Sequence, residues 1–125
     1  MKKEIRIAPR NSVILVMDQS VGEVPKAMNK ALVAATPSCI AVGTLSEHDG
    51  LTLISLSDAA PPPGTDMSLV FDGVLTTPTR KVSLCSVLDE ALVALDVPAE
   101  STRVQIWAND DTEPDQIHVA VKEET

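Results

Sequence analysis

Two aspartates and one histidine are the side chains whose chemistry and placement could serve proton transfer or polar binding. Asp18 follows an apolar segment that begins at Ser12, Asp72 follows one that begins at Ser68, and His118 lies within a third. Carboxylates and an imidazole that converge on one pocket can exchange protons or orient a polar ligand. Convergence would therefore indicate a small-ligand-binding protein or a minor enzyme, using a cleft between the halves of the chain or between protomers. Scattered positions would favour a protein-binding module.

No catalytic constellation accompanies these residues. The segment Leu69–Leu75 resembles the nucleophile loop of haloacid-dehalogenase-type phosphatases, a buried strand ending in Asp-x-Asp-Gly-Thr-Leu, but Val70 stands at the position of the nucleophile. His118 has no serine, cysteine or second histidine at a spacing typical of a catalytic triad. We therefore predict no catalytic residue, favour a protein that is not an enzyme, and interpret Asp18 and Asp72 as turn residues at strand ends.

Neither a metal nor a cofactor is predicted. The segments 47–49 and 110–115 are rich in carboxylates, but a calcium loop needs a glycine at its sharp turn and a distal bidentate glutamate, and Pro114 interrupts the second segment. Cys39 and Cys85 have neither CxxC spacing nor a matching histidine pair, so we expect buried free thiols.

Charge divides the chain into unlike halves. Of the 125 residues, which sum to a net charge of −8, residues 1–60 hold six basic and six acidic side chains, whereas residues 61–125 hold four and twelve. Nucleic acid and anionic membranes require a basic face, so the charge argues against both as ligands and in favour of a basic protein partner. The sequence shows no signal peptide and no apolar run long enough to span a bilayer, so we expect a cytoplasmic protein.

A proline-rich connector at 58–66 separates two halves with matching patterns, because three consecutive prolines fit neither a helix interior nor a central strand. Each half is predicted to form a strand, a helix and a hairpin. The chain is thus interpreted as one domain, 1–125, with an internal repeat of 1–57 and 67–125.

Helices are predicted over 24–35 and 84–95, because apolar residues recur there at positions i, i+3, i+4 and i+7. The predicted hairpins span 39–57 and 102–122, and a further short strand is expected at 4–8.

These elements predict an α+β fold: a mixed, mainly antiparallel six- or seven-stranded sheet with two helices on one face, from a duplicated β-α-β-β unit. Two helices cannot cover both faces of such a sheet, yet the strand at 13–17 is apolar on both sides. Strands of that kind are normally covered on both faces. We therefore expect a homodimer, with a sheet that curls back on itself as the alternative.

Side chains that point away from the helices are the binding candidates. In the strands 104–108 and 117–122, aliphatic residues alternate with Gln105, Trp107 and His118, which places these three on the face opposite the helices. A tryptophan on a polar strand face is a typical contact anchor. The predicted partner- or ligand-binding residues are Trp107, His118, Gln105, Asp18 and Asp72. The chain is interpreted as a small acidic protein-interaction module of the adaptor, inhibitor or immunity type, with the small-ligand protein or minor enzyme as the alternative.

Overall fold

The chain folds into two stacked five-stranded sheets, as seen in a computed structural model that describes residues 2–28, 31–62 and 64–123. The first sheet has the order β1-β5-β10-β9-β6 and the second the order β3-β4-β2-β7-β8. The first sheet comprises β1 (Lys2–Ile7), β5 (Thr52–Ser57), β10 (Gln116–Glu123), β9 (Ser101–Ala108) and β6 (Ser68–Thr76). The second comprises β3 (Val33–Thr36), β4 (Cys39–Gly43), β2 (Val13–Met17), β7 (Lys81–Cys85) and β8 (Ala91–Asp96).

The predicted α+β class is wrong, since the only helical element among the described residues is the 3₁₀ turn Arg10–Ser12. The second sheet is antiparallel throughout, and the first contains one parallel pair, β5 with β10. The duplicated β-α-β-β unit therefore does not describe the fold. The assignment of one domain with a repeat of 1–57 and 67–125 around the 58–66 connector stays a prediction.

The core lies between the two sheets and follows the strand period of two. Ile117 and Val119 on β10 point inward, as do Ile14 and Val16 on β2, and all four are buried. Two sheets whose inner faces carry alternate aliphatic side chains pack as a sandwich. The alternation predicted for the two C-terminal strands is thus real, but its aliphatic side faces a second sheet rather than helices.

The segment 84–95 forms two strands and a turn instead of a helix. The amide of Ser86 donates to the carbonyl of Glu90 at 2.9 Å, and Asp89 adopts a left-handed backbone with φ of 62°. Val82 and Leu84 are two residues apart on β7, and both point into the core between the sheets. Burial on one side of a strand therefore determines the conformation of this segment. Leu88 is 65% exposed, although the helical pattern placed it on the buried side.

The described part of 24–35 is also not helical: its only regular element is β3, and Asn29 and Lys30 lie outside the described residues. On the outer face of the second sheet, Met28 packs against a buried cluster formed by Leu15, Met17, Cys39, Ala41 and Cys85. The Thr36 hydroxyl donates to the carbonyl of Glu23 at 2.6 Å and ties the segment to β3.

Of the two predicted hairpins, the second is confirmed and the first is wrong. β9 and β10 pair antiparallel, whereas β4 and β5 belong to different sheets, so residues 44–51 connect the layers. On the outer face of the first sheet, Ala59 of the chain that follows β5 lies against β10, with its carbonyl oxygen 2.7 Å from Nε2 of His118. The strands that are apolar on both sides are therefore covered within the chain, much as in the alternative of a sheet curling back on itself, and the homodimer stays a prediction.

Candidate functional site

Trp107 and His118 lie side by side on the outer face of the first sheet. They are paired residues of β9 and β10, and their rings meet edge to face with centroids 5.9 Å apart at 61°. Trp107 is partly exposed, whereas His118 is only 4% exposed. Tryptophan can therefore contact a partner, whereas histidine is largely shielded from one.

His118 is shielded because the connector packs against it. The distance from Nε2 of His118 to the carbonyl oxygen of Ala59 is 2.7 Å. A carbonyl oxygen can only accept, so Nε2 carries the proton and donates. This hydrogen bond holds Ala59 against β10 and explains why the imidazole of His118 is buried.

Gln105 and Asp72 lie on the same outer face, nearer the edge of the sheet. Arg103 binds Asp72 through two hydrogen bonds, Nε to Oδ1 at 2.9 Å and Nη2 to Oδ2 at 2.6 Å, and Gln105 donates to Oδ2 at 3.3 Å. These contacts, chiefly the hydrogen bonds from Arg103, hold the pKa of Asp72 below its ordinary value. Asp72 is not at a strand end, as the sequence predicted, because β6 continues to Thr76.

Replacing Arg103 with methionine is expected to raise the pKa of Asp72 toward that of an ordinary aspartate, because both charge-assisted hydrogen bonds are lost. The pKa is measured by NMR titration of the carboxyl carbon. Lys122→Met is the matched control, since Lys122 contributes only a weak Coulombic attraction to Asp72. Equal shifts in both variants would contradict the assigned role of Arg103.

Asp18 belongs to the other sheet and has a structural role. It follows β2, where its Oδ2 accepts from the amide and hydroxyl of Thr79 at 2.8 and 2.7 Å, and its Oδ1 accepts from Ser20. Burial raises the pKa of Asp18, but the hydrogen bonds from Thr79 and Ser20 outweigh burial, so the net pKa is lowered. The carboxylate joins β2 to the turn between β6 and β7.

The three titratable candidates do not converge on a pocket. None of the five predicted binding residues lines any of the four most prominent clefts formed by the described residues. The largest of these four, of about 540 Å³, lies near Lys3, Leu95 and Lys122. Asp18, Asp72 and His118 are therefore scattered over the two sheets rather than gathered at one site.

The sheet topology gathers acidic loops at one end of the sandwich. The loops 44–51, 86–90 and 109–115 lie at this end, because β4 runs parallel to β7 and β5 runs parallel to β10. Together they hold eight acidic side chains and no lysine or arginine. We call these three loops the acidic end; Arg6 and Arg10 lie beside it.

Hydrogen bonds fix the acidic end in place. The amide of Leu45 donates to the carbonyl of Pro114 at 2.8 Å, and the amide of Asn11 donates to Oε1 of Glu47 at 3.2 Å. Asp110 accepts from the amide of Glu113 at 2.8 Å and from Thr112, which lowers its pKa. A preorganised charged surface loses little conformational entropy when it binds.

Exposed leucines accompany the carboxylates at the acidic end. Leu51 is 56% exposed and Leu88 is 65% exposed. This surface could not be recognised from the sequence, because Glu47 and Asp49 come from the electrically neutral half and only the fold brings them to the loop 109–115.

The two cysteines are buried free thiols, as expected. Burial raises the pKa of Cys39 to about 11 and that of Cys85 to about 12.

No helix in the part of the chain that the structure describes is long and apolar enough to cross a membrane. No known protein family and no curated protein matches the sequence. Two solved structures are similar in fold. One is ComJ from Bacillus subtilis, an inhibitor of the DNA degrading activity of NucA, with a TM-score of 0.64 at 10% identity, covering 99% of this chain and 96% of that one. The other is the protein of crocagin biosynthetic gene J, with a TM-score of 0.58 at 11% identity and the same coverage. At such identities the likeness shows a shared fold.

Proposed function

We propose that the protein is a small acidic protein-interaction module of the inhibitor type, which uses the acidic end to bind the basic surface of a partner protein. The observation that carries this proposal is the collection of eight carboxylates from three loops, without a lysine or arginine among them, at one end of the sandwich. Opposite charge steers association and rejects acidic competitors.

Two further observations support an inhibitor. The candidate acid–base residues Asp18, Asp72 and His118 are each engaged in separate hydrogen bonds, which leaves no group poised for catalysis among them. ComJ, which is similar in fold, is an inhibitor of the DNA degrading activity of NucA. Enzymes that act on DNA present basic surfaces to phosphates, and such a surface suits the acidic end.

Exposed apolar side chains would supply the rest of the binding energy. Leu51 and Leu88 stand among the carboxylates, and Trp107 lies on the adjoining sheet face. Large apolar anchors surrounded by charge are the usual composition of a specific protein interface. The predicted cytoplasmic location and homodimer are retained as part of this proposal.

Neutralising the acidic end is expected to abolish capture of a basic partner. The test variant carries Asp49→Asn, Asp89→Asn and Glu90→Gln, all in exposed parts of the loops 44–51 and 86–90; the control carries Glu23→Gln, Asp96→Asn and Glu100→Gln. Each removes three negative charges from the net −8, which leaves −5 (−8 + 3). Only the first should lose salt-sensitive capture, and its association rate should fall by about tenfold or more at low salt.

The measurement uses the wild type and both variants, immobilised at equal density, with a lysate of the source cells, elution by rising salt, and identification by mass spectrometry. The partner should be basic, lost from the first variant and kept by the control. The proposal is wrong if the captured proteins are the same for all three, or if their capture does not respond to salt.

A further inference from the structure

Among the four edge strands of the two sheets, β6 is the longest of those without a lysine, an arginine or a proline. The edges are β1 and β6 in the first sheet and β3 and β8 in the second, and β6 is the longest, with nine residues. β1 carries Lys2, Lys3 and Arg6, whereas β6 has no lysine, arginine or proline, and neither do the shorter strands β3 and β8. Proteins use such residues to prevent edge strands from pairing with other chains. The only protective device on β6 is a bulge between Leu69 and Phe71.

The surface along β6 is apolar and electrically neutral at its centre. Leu69 is 48% exposed and Val74 is 49% exposed on the outer side. The one charged residue of the strand, Asp72, is already paired with Arg103 at 2.6 Å. A second strand could therefore approach this edge without meeting an unbalanced charge.

Charge changes sign between the two ends of β6. At the start of the strand, Ser68 and Val70 line a cleft together with Asp110 and Asp111. The other end of β6 is basic: it leads into the turn that contains Arg80, and Lys81 follows directly after that turn. Antiparallel pairing of two such strands would place the acidic start of each beside the basic finish of the other, whereas parallel pairing would place like charges together.

We propose that β6 pairs antiparallel with β6 of a second copy of this chain, which joins the two first sheets into one continuous sheet. This arrangement has the two-fold symmetry of the commonest homodimers, in which the same surface patch faces itself. It brings Leu69 of each copy toward Val74 of the other and the Asp111 loop of each toward Arg80 of the other. The loops 44–51 and 86–90 stay free for the basic partner, so the dimer and the proposed inhibitory function can fail separately.

Sedimentation velocity tests the edge. The wild type should shift from monomer to dimer with rising concentration, and Val74→Lys should raise the dimer dissociation constant by about tenfold or more, as buried charge does at an interface. Val24→Lys is the matched control, because Val24 is the same residue type with the same 49% exposure on a different surface. A wild type that remains monomeric at millimolar concentration, or equal effects of both variants, would overturn the proposal.

A charge exchange tests the antiparallel direction. Asp111→Lys and Arg80→Glu should each weaken the dimer by about fivefold or more at low salt, because each places like charges together, and the double variant should recover wild-type association. Circular dichroism and thermal unfolding of each variant establish that the fold is intact. A double variant weaker than either single variant would exclude the antiparallel arrangement. Capture of a basic partner by the Val74→Lys variant should be unchanged.

Discussion

Leu84→Ala is expected to lower the free energy of unfolding by about 3–5 kcal/mol, the range for removal of a fully buried leucine side chain. Leu84 is 0% exposed and lies on β7 among the residues that fill the space between the two sheets. The truncation removes apolar contacts and leaves a cavity that the stacked strands cannot readily close. Urea unfolding followed by circular dichroism measures the loss.

Leu88→Ala is the matched control, because it deletes the same atoms four residues later. Leu88 is 65% exposed in the turn between β7 and β8, so the change in unfolding free energy should stay within about 0.5 kcal/mol. A helix over 84–95 would bury both leucines on one face and make the two losses similar. Comparable losses would therefore refute the strand–turn–strand conformation of this segment.

Asp18→Ala is expected to cost about 1–3 kcal/mol of unfolding free energy, because it removes a buried charged acceptor that binds the amides and hydroxyls of Thr79 and Ser20. Asp18 is 2% exposed and accepts from both the amide and the hydroxyl of Thr79 at less than 3 Å. The exposed Asp96 supplies the control, and Asp96→Ala should change stability by less than about 0.5 kcal/mol. Equal effects would show that the link between β2 and the β6–β7 turn contributes nothing.

The contribution of Asp18 should also depend on pH in a defined direction. Its pKa in the folded protein is lowered, below the unfolded value of about 3.9. A carboxyl group of this kind stabilises the fold above the unfolded pKa, and the stabilisation is lost as pH falls through the folded pKa. The difference in stability between wild type and Asp18→Ala should thus be constant near neutral pH and shrink below about pH 4. A difference that grows on acidification would contradict the lowered pKa.

The sequence predicted strands better than it predicted helices. Strands were expected at 13–17, 39–45, 51–57, 102–108 and 116–122, and each of these segments contains a strand, although those of the second and third are shorter than expected, at 39–43 and 52–57. Their β-branched residues and two-residue period are local properties, so one sequence suffices to recognise them. The sequence could not show which strands pair, since only the fold places β4 and β5 in different sheets.

The predicted helices failed for a physical reason. Two short strands joined by a turn, as in 81–96, can also place apolar residues at intervals of three and four when the turn itself contains a leucine. Helices gain most of their stability from tertiary packing, so an amphipathic pattern is decided by what it packs against. In this fold, residues 81–96 pack against the inner face of the first sheet. A strand with Val82 and Leu84 on its buried side is therefore favoured over a helix.

The candidate site was predictable only in part. Alternation in the two C-terminal strands correctly placed Gln105, Trp107 and His118 on one face, because the strand period is local. The engagement of His118 with Ala59 and of Asp18 with Thr79 spans 59 and 61 residues of sequence, and no local pattern contains it. For the same reason, the acidic end could be recognised only after the loops had been positioned by the sheets.

The position of β10 has a consequence for how the protein folds. This strand comes last in chain order but lies in the middle of the first sheet, between β5 and β9, and it forms the sheet's only parallel pair. During synthesis, β5 leaves the ribosome long before β10, the strand that must pair with it. The sides of β5 and β9 that bind β10 therefore stay unpaired until residues 116–123 emerge. Contacts between such distant segments make folding slow and leave strand edges open to aggregation during synthesis. The first sheet should therefore be completed late, and removing β10 should leave β5 and β9 as two exposed edges rather than a smaller stable sheet.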